Sequence, residues 1–167
     1  DNGTLYVLSS DGKLLCADAR TGAAKWTKDL VADFKGVCGG WAYAESPLID
    51  GDRLICTPGG TDATMVALDK KTGATIWTCR VTKERAAAPG GRRKPRPYAT
   101  AGYASAVAAD IGGVRQYVQF LDGGLIGVSA ADGKLLWTYD APASPTANCT
   151  PPIVSGDLVF DASAYNI

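Results

Sequence analysis

The carboxylate of Glu45 is the most informative side chain that could do chemistry in this sequence. It lies within the stretch WAYAES, which runs from Trp41 to Ser46 among aromatic and small residues. A carboxylate in such surroundings requires water, a cation or a hydrogen-bonding partner. Glu45 and its neighbours Trp41, Tyr43 and Ser46 are therefore candidate ligand-binding residues.

Two residue types limit the chemistry that is available. The 167 residues include no histidine, which excludes a Ser-His-Asp triad and removes the commonest transition-metal ligand. Five cysteines are spread along the chain without CxxC spacing, so no zinc site or thioredoxin-type motif is predicted. They are Cys16, Cys38, Cys56, Cys79 and Cys149. Because their number is odd, either buried free thiols or one or two disulfides in an exported protein are compatible with the sequence.

The charges are balanced overall but not locally. Lys plus Arg and Asp plus Glu each number 17, so nothing advertises nucleic acid or an anionic membrane. Residues 82–97 form a basic, Pro- and Gly-rich insertion, which predicts an exposed loop. Its candidate docking residues are Arg92, Arg93, Lys94 and Arg96. They would contact an acidic protein, a polysaccharide or an anionic surface, or they are simply solvated.

Neither a transmembrane segment nor a signal peptide is recognisable in the sequence. No apolar run approaches the roughly 18 residues that a membrane helix needs. The first ten residues, DNGTLYVLSS, have neither the basic nor the apolar region of a signal peptide.

A repeated hairpin motif organises the chain. Three segments align without gaps: LLCADARTGAAKWTKDL, MVALDKKTGATIWTCRV and LIGVSAADGKLLWTYDA. In each, the first polar residue of a turn precedes a tryptophan by the same spacing; these pairs are Asp18 and Trp26, Asp69 and Trp77, and Ser129 and Trp137. Gly22, Gly73 and Gly133 supply the positive φ that closes a type I turn with a bulge. The motif predicts a β-hairpin and not a phosphate loop.

The repeats predict an all-β fold, a β-propeller of four-stranded antiparallel blades. SPLIDGDRLICT and PPIVSGDLVFDA add two further apolar runs around a Gly-Asp turn ahead of a hairpin, so each complete unit has four strands, A to D. The predicted units are a partial blade 1 (1–30, strands B to D), blade 2 (41–81), blade 3 (98–140) and a partial blade 4 (146–167, strands A and B). A solenoid is the competing repeat architecture.

The first strand of a propeller blade lines the central channel, which adds candidate ligand-binding residues. Besides the residues of blade 2, they are Tyr98, Thr100, Tyr103 and Ser105 in blade 3 and Asn148 and Thr150 in blade 4. The alternative is that these side chains only pack the channel and satisfy its water.

The pattern A-x-D-x-x-T-G-x-x-x-W resembles the pyrroloquinoline quinone (PQQ)-type repeat. It is met at Ala67, Asp69, Thr72, Gly73 and Trp77. This repeat occurs in quinoprotein alcohol dehydrogenases and in an outer-membrane assembly lipoprotein, and the resemblance covers nearly the whole chain. More narrowly, WAYAESPLIDGDRLICTPGG, VALDKKTG and GGVRQYVQF look like uncharacterised PQQ-binding-like propeller proteins of planctomycete-type bacteria.

The resemblance implies a propeller of seven or eight blades, of which this chain would be a segment. It implies that Trp26, Trp77 and Trp137 pack between neighbouring blades, with ligand stacking as the alternative. Quinoproteins hold PQQ with a stacked Trp, a vicinal disulfide, calcium and an Asp base. Because no vicinal cysteines occur, no cofactor is expected within this chain; PQQ with calcium is possible if the full-length protein is a quinoprotein.

The first functional hypothesis is a non-enzymatic exported scaffold that binds a protein or polysaccharide partner in the periplasm, at the cell surface or outside a bacterium. A PQQ- and calcium-dependent alcohol dehydrogenase-like oxidoreductase is the second. An extracellular structural assembly subunit is the third. Further blades of the same propeller, or copies joined through open blade edges, are additional expected partners.

Overall fold

A computed structural model describes residues 1–84 and 97–164 of the chain. The predicted docking residues Arg92, Arg93, Lys94 and Arg96 lie outside these residues. Within the described ranges, no helix has the length and apolar composition needed to cross a membrane.

The described residues form antiparallel sheets in chain order. Sheet 1 contains β1 (Thr4–Leu8), β2 (Lys13–Asp18) and β3 (Ala24–Asp29), and a short helix, α1 (Leu30–Phe34), follows it. Sheet 2 contains β4 (Leu48–Asp50), β5 (Arg53–Cys56), β6 (Met65–Asp69) and β7 (Thr75–Cys79). Sheet 3 contains β8 (Val107–Ile111), β9 (Val114–Leu121), β10 (Gly124–Ser129) and β11 (Leu135–Tyr139). Sheet 4 contains β12 (Ile153–Ser155) and β13 (Leu158–Phe160).

Within each sheet, every strand pairs with the next strand along the chain. Sheets 2 and 3 have the order β4-β5-β6-β7 and β11-β10-β9-β8, sheet 1 is the meander β1-β2-β3, and sheet 4 is the hairpin β12-β13. Short turns join the strands, so each sheet folds from contiguous sequence. The predicted fold class, all-β with four-stranded antiparallel sheets, is confirmed. The predicted blade boundaries remain predictions.

The turns that carry the repeated motif have nearly the same geometry in sheets 1 and 2. Oδ1 of Asp69 accepts hydrogen bonds from the backbone N–H groups of Lys71 and Thr72 and from the Thr72 hydroxyl, at 2.8 to 3.0 Å. Asp18 accepts the equivalent three bonds in sheet 1. A register shift between Ala67 and Leu68 accommodates the bulge. The backbone N–H groups of this tight turn have no partner in the strand ladder. The aspartate carboxylate accepts their hydrogen bonds instead.

Neighbouring sheets pack face to face through apolar side chains. Between sheets 1 and 2 the core contains Leu14, Leu54 and Val66. Between sheets 2 and 3 it contains Met65, Trp77 and Tyr117. Alternate residues of a strand point to opposite faces, so β6 serves both cores, with Val66 on one side and Met65 on the other.

The tryptophans of sheets 1 and 2 each reach the hairpin turn of the following sheet. Nε1 of Trp26 donates to the carbonyl oxygen of Lys70 at 3.1 Å, and Nε1 of Trp77 donates to that of Ala130 at 3.2 Å. Trp137 differs because its Nε1 donates to Oε1 of Gln116, in its own sheet, at 2.9 Å. Trp26 and Trp77 therefore connect sheets, whereas the hydrogen bond of Trp137 lies within one sheet.

Helix α1 is an element that the sequence analysis does not predict. Oδ1 of Asp29 accepts hydrogen bonds from the backbone N–H groups of Val31 and Ala32, both at 3.0 Å, and so caps the helix. The helix ends at Phe34, and the C-cap residue Lys35 has a left-handed φ of 52°. This turn of helix directs the chain from the last strand of sheet 1 into the segment that precedes sheet 2.

Candidate functional site

The candidate residues precede the first strands of their sheets. Strand β4 begins at Leu48, β8 at Val107 and β12 at Ile153. The expectation that the candidates lie on inner strands is therefore wrong for Trp41, Tyr43, Glu45 and Ser46, for Tyr98, Thr100, Tyr103 and Ser105, and for Asn148 and Thr150. Ala42 has a φ of 70°, which extended strands exclude. Pro47 and Pro152 lack the N–H that a ladder requires.

These connecting segments contact one another directly. We call 36–46 the first segment, 97–106 the second and 141–152 the third. The backbone N–H of Ala101 donates to the carbonyl oxygen of Val37 at 2.9 Å, and that of Tyr103 donates to Asn148 at 3.0 Å. The backbone N–H of Ser46 donates to Oγ of Ser105 at 2.8 Å. The structure thus brings together candidate residues from the segments that precede sheets 2, 3 and 4.

An aromatic pair lies where the first and second segments meet. The rings of Trp41 and Tyr103 pack edge to face with centroids 5.7 Å apart. The backbone N–H of Trp41 donates a long hydrogen bond of 3.4 Å to the Tyr103 hydroxyl. Trp41 remains 61% exposed although it is a large apolar residue. The pair therefore presents an aromatic surface to solvent. The ring contact and the backbone hydrogen bond both hold this surface in place.

Glu45 points inward from the first segment. Its Oε1 accepts a hydrogen bond from the backbone N–H of Thr57 at 2.5 Å, and its Oε2 accepts a long one of 3.4 Å from Nε2 of Gln119 in sheet 3. Burial raises the pKa of the carboxyl group to about 7, against which the hydrogen bonds from Thr57 act only in part. Both carboxyl oxygens of Glu45 therefore accept hydrogen bonds from within the protein.

Tyr43, in the same segment, has its side chain in the protein core. Its ring is buried, and its hydroxyl donates to the carbonyl oxygen of Pro58 at 2.8 Å. Burial raises the pKa of this phenol well above its usual range, and the charges of nearby groups, including Glu45, act in the same direction. Tyr43 therefore packs the segment against sheets 1 and 2.

The remaining candidates divide into buried and exposed residues. Tyr98 is buried and its hydroxyl donates to the carbonyl oxygen of Leu125 at 3.0 Å. Asn148 is buried, and Nδ2 donates to Leu121 at 2.8 Å. Thr100 is buried with a hydroxyl that has no partner within the described residues. Thr150 is exposed and bonds Asp161 at 2.6 Å.

The cysteines do not form a cofactor or metal site. All five are free thiols; Cys16, Cys56 and Cys79 are buried, and Cys149 is exposed. Burial raises the pKa of Cys79 to about 11. Within 1–84 and 97–164, no three Cys, Asp or Glu side chains lie close enough together to hold a metal ion.

The described residues do not fit a PQQ and calcium site. Calcium takes six to eight oxygen ligands, with carboxylates prominent among them. Glu45 is a single buried carboxylate, and both of its oxygens already accept protein hydrogen bonds. Trp41 packs against Tyr103 edge to face, and within 1–84 and 97–164 no group of three acidic or cysteine side chains could hold the calcium ion.

Comparison with known proteins identifies the family. A family model described as outer membrane protein assembly factor BamB matches residues 1–167, the whole sequence. The chain belongs to this family. The predicted resemblance to PQQ-type repeat proteins is confirmed at this level, because quinoprotein dehydrogenases also match this BamB-family chain.

The curated relatives match only part of the chain. A quinoprotein ethanol dehydrogenase of Pseudomonas aeruginosa is 35% identical over 78 residues, which is 46% of this chain and 12% of the relative. The matched part of this BamB-family chain therefore spans about an eighth of the length of that enzyme.

Solved structures support the fold. BamB from Moraxella catarrhalis has a TM-score of 0.59 at 21% identity and covers 93% of this chain and 42% of its own. The quinohemoprotein alcohol dehydrogenase ADHIIG of Pseudomonas putida HK5 has a TM-score of 0.53 at 17% identity and covers 87% and 26%. Both are β-propellers, so this BamB-family chain shares the propeller fold with them.

Sequence reasoning missed the two partners of Glu45. Thr57 follows the end of β5, and Gln119 lies within β9. A glutamine inside the apolar run YVQF, Tyr117 to Phe120, was a signal of an internal hydrogen bond, because a buried amide needs partners.

Proposed function

We propose that this protein is a non-enzymatic scaffold of the bacterial cell envelope, which binds a protein partner through the face that carries Trp41 and Tyr103. The observation that carries the proposal is the exposed aromatic pair, fixed between two connecting segments. Trp41 is 61% exposed, and its ring lies 5.7 Å from that of Tyr103. Tryptophan and tyrosine dominate the binding energy of many protein interfaces.

The geometry of the pair suits binding with little ordering cost. Backbone hydrogen bonds at Ala101, Ser46 and Trp41 fix the first and second segments against each other. A surface that is ordered before binding loses less conformational entropy when the partner arrives. The polysaccharide partner that the sequence also predicts would use the same aromatic surface. The experiment below distinguishes it from a protein partner.

The family supports the scaffold hypothesis and its location. The matching family is named for an outer membrane protein assembly factor, and that description supports a protein-binding role in the envelope. A periplasmic or cell-surface location is part of this proposal. The narrower likeness to PQQ-binding-like proteins of planctomycete-type bacteria stays a prediction.

Site-specific photocrosslinking tests the proposal. A photoreactive phenylalanine analogue replaces Trp41 in the full-length protein, expressed in its own host, and the matched control position is Ile76, another exposed apolar residue at 46%. We expect a discrete protein adduct from position 41 only, lost when Tyr103→Ala is added. Identical products from both positions, or a carbohydrate adduct at position 41, would contradict the protein-binding proposal.

A quinoprotein oxidoreductase is the second candidate, favoured by the match to the ethanol dehydrogenase. Full-length protein reconstituted with PQQ and calcium tests it. Near-ultraviolet absorbance of bound PQQ together with dye-linked alcohol oxidation would replace the scaffold hypothesis. Light scattering tests the third hypothesis, because a structural assembly subunit gives discrete multimers and a strict monomer excludes it.

A further inference from the structure

The carboxyl group of Glu45 connects sheets 2 and 3. One oxygen accepts from the backbone N–H of Thr57 at the end of sheet 2, and the other accepts from Gln119 on β9 of sheet 3. Gln119 is fixed in turn, since its Nε2 also donates to the carbonyl oxygen of Ala104 at 2.9 Å. Glu45 therefore joins the first segment to sheet 2, to sheet 3 and, through Gln119, to the second segment.

The surroundings of Glu45 favour its neutral form. Glu45 and Gln119 are both buried, and Oε1 of Gln119 has no hydrogen-bond partner within the described residues. A buried carboxylate with two hydrogen bonds, one of them 3.4 Å long, is poorly compensated. A protonated carboxyl group instead adds an O–H donor to a cluster in which the amide oxygen of Gln119 is an unpaired acceptor.

The other titratable groups near Glu45 do not change charge near neutral pH. Tyr43, on the same segment, and Cys56, on β5, both feel the charge of Glu45, and burial raises the pKa of each well above its usual range. From sheet 3 the facing group is the neutral amide of Gln119. Glu45 is therefore the group in this cluster that titrates near pH 7, because burial raises its pKa to about 7.

The same segment carries the exposed aromatic pair. Ser46 follows Glu45 directly and donates its backbone N–H to Ser105 of the second segment. Trp41, on the other side of Glu45, contacts Tyr103 of the second segment. A change in the Glu45 contact to sheet 3 therefore acts on the junction that positions both rings.

We propose that Glu45 is a proton-linked latch, which holds the first segment against sheet 3 when protonated and releases it when ionised, so that Trp41 and Tyr103 keep their arrangement only in the protonated state. The role assigned to the aromatic pair in this proposal rests on the proposed function. The latch itself is a property of the free protein.

Hydrogen exchange of the free protein tests the latch. Backbone amides at 37–46 and 101–106 are followed by mass spectrometry over a pH series, with rates corrected for intrinsic exchange. We expect protection to fall by about tenfold or more as pH rises through about 7, because one unit of pKa shift corresponds to a factor of ten. Glu45→Gln stays protected throughout. Asp50→Asn, which alters another carboxylate between sheets 2 and 3, keeps the midpoint of the wild type.

Two results would overturn the proposal. One is flat protection in the wild-type protein across neutral pH, and the other is an unchanged midpoint in Glu45→Gln. If that variant does not fold, NMR of the wild-type protein provides the test. The chemical shift of the Glu45 carboxyl carbon is followed over a pH series, and its midpoint gives the pKa. A midpoint near 7 supports the latch, and one near the ordinary glutamate value of about 4.3 removes it.

Photocrosslinking at position 41 distinguishes failure of the latch proposal from failure of the proposed function. We expect a higher adduct yield at about pH 6 than at about pH 8 in the wild type and equal yields in Glu45→Gln. Without any adduct at position 41 the proposed function fails, while the exchange midpoint still reports on the latch.

Discussion

Gly133 lies directly beneath the indole ring of Trp77. A Cβ atom at Gly133 would stand 2.6 Å from Cε3 of Trp77, closer than side-chain atoms approach each other. Gly73 has the same relation to Trp26, with the nearest ring atoms at 2.9 Å. Each of these glycines is thus required for the positive φ of its turn. Each is also required because the tryptophan ring of the preceding sheet packs directly against it.

Substituting Gly133 separates these two requirements. Gly133 and Gly22 occupy equivalent turns with φ of 76° and 75°, but a Cβ at Gly22 meets nothing within 4 Å. Gly22→Ala should cost about 1 kcal/mol, the cost of a left-handed φ alone. Gly133→Ala should cost about 1 to 3 kcal/mol more, because Trp77 must move.

Urea unfolding of the two glycine variants measures the difference. Equal losses of unfolding free energy would mean that the ring of Trp77 adapts freely, and the contact would then have little weight in holding sheets 2 and 3 together.

Truncating Trp77 should weaken the contact between sheets 2 and 3. Trp77 is 8% exposed, so Trp77→Ala should lower the free energy of unfolding by about 3 to 5 kcal/mol. Trp77→Phe keeps most of the apolar contact and should cost less, with about 1 kcal/mol from the lost hydrogen bond to Ala130. Trp41→Ala is the control and should change stability by less than about 1 kcal/mol because Trp41 is mostly exposed. A similar loss in both alanine variants would contradict this assignment.

Glu45 should make stability fall as pH rises. Burial raises the pKa of the folded-state carboxyl group from 4.5 to about 7, so the folded state holds more protons than the unfolded state between these values. Its contribution is complete below pH 4.5 and is lost as pH rises through about 7. The expected loss is on the order of 3 kcal/mol in the free energy of unfolding.

Urea unfolding at about pH 5 and about pH 8 checks the pH dependence. Glu45→Gln should flatten the difference because its amide does not titrate. In contrast, Arg115 and then Tyr117 lower the pKa of Asp50, so that carboxylate loses its contribution only as pH falls below its ordinary range. A wild-type profile with no slope between pH 5 and 8 would refute the assignment.

The side-chain hydrogen bonds of Asn148 should stabilise the third segment. Its Nδ2 donates to the carbonyl oxygens of Leu121 and Asp122, and its Oδ1 accepts from the backbone N–H of Ser144. Asn148→Asp removes both donors and places a charge against two carbonyl oxygens, so it should cost about 3 kcal/mol or more. Exposed Thr150→Ala should be nearly silent. Thermal melts compare them, and a stable Asn148→Asp would show that the segment rearranges.

The strand pattern could be predicted because its causes are local. The spacing from Asp69 to Trp77 encodes a turn with its own hydrogen bonds and a ring at a fixed distance along the next strand. Such signals depend on a few neighbouring residues and recur at Asp18 and Trp26. Period-two alternation then assigns residues to the two faces of each sheet.

The arrangement of the candidate site could not be predicted in the same way. Glu45 meets Gln119 across 74 residues of sequence, and Ser46 meets Ser105 across 59. No local pattern encodes those contacts, which arise from how the connecting segments lie against one another. The residue types were a correct guide to which side chains would be unusual, but Glu45 and Asn148 were both expected on inner strands and both lie in connecting segments.

The contact of one ring with the next turn also bears on how such chains grow in evolution. The ring of Trp26 meets the turn of sheet 2 as the ring of Trp77 meets the turn of sheet 3. A duplicated gene segment that encodes one whole sheet would therefore bring both halves of this contact with it. Lengthening by duplication needs no new interface, and relatives that differ in the number of repeats can arise in single steps.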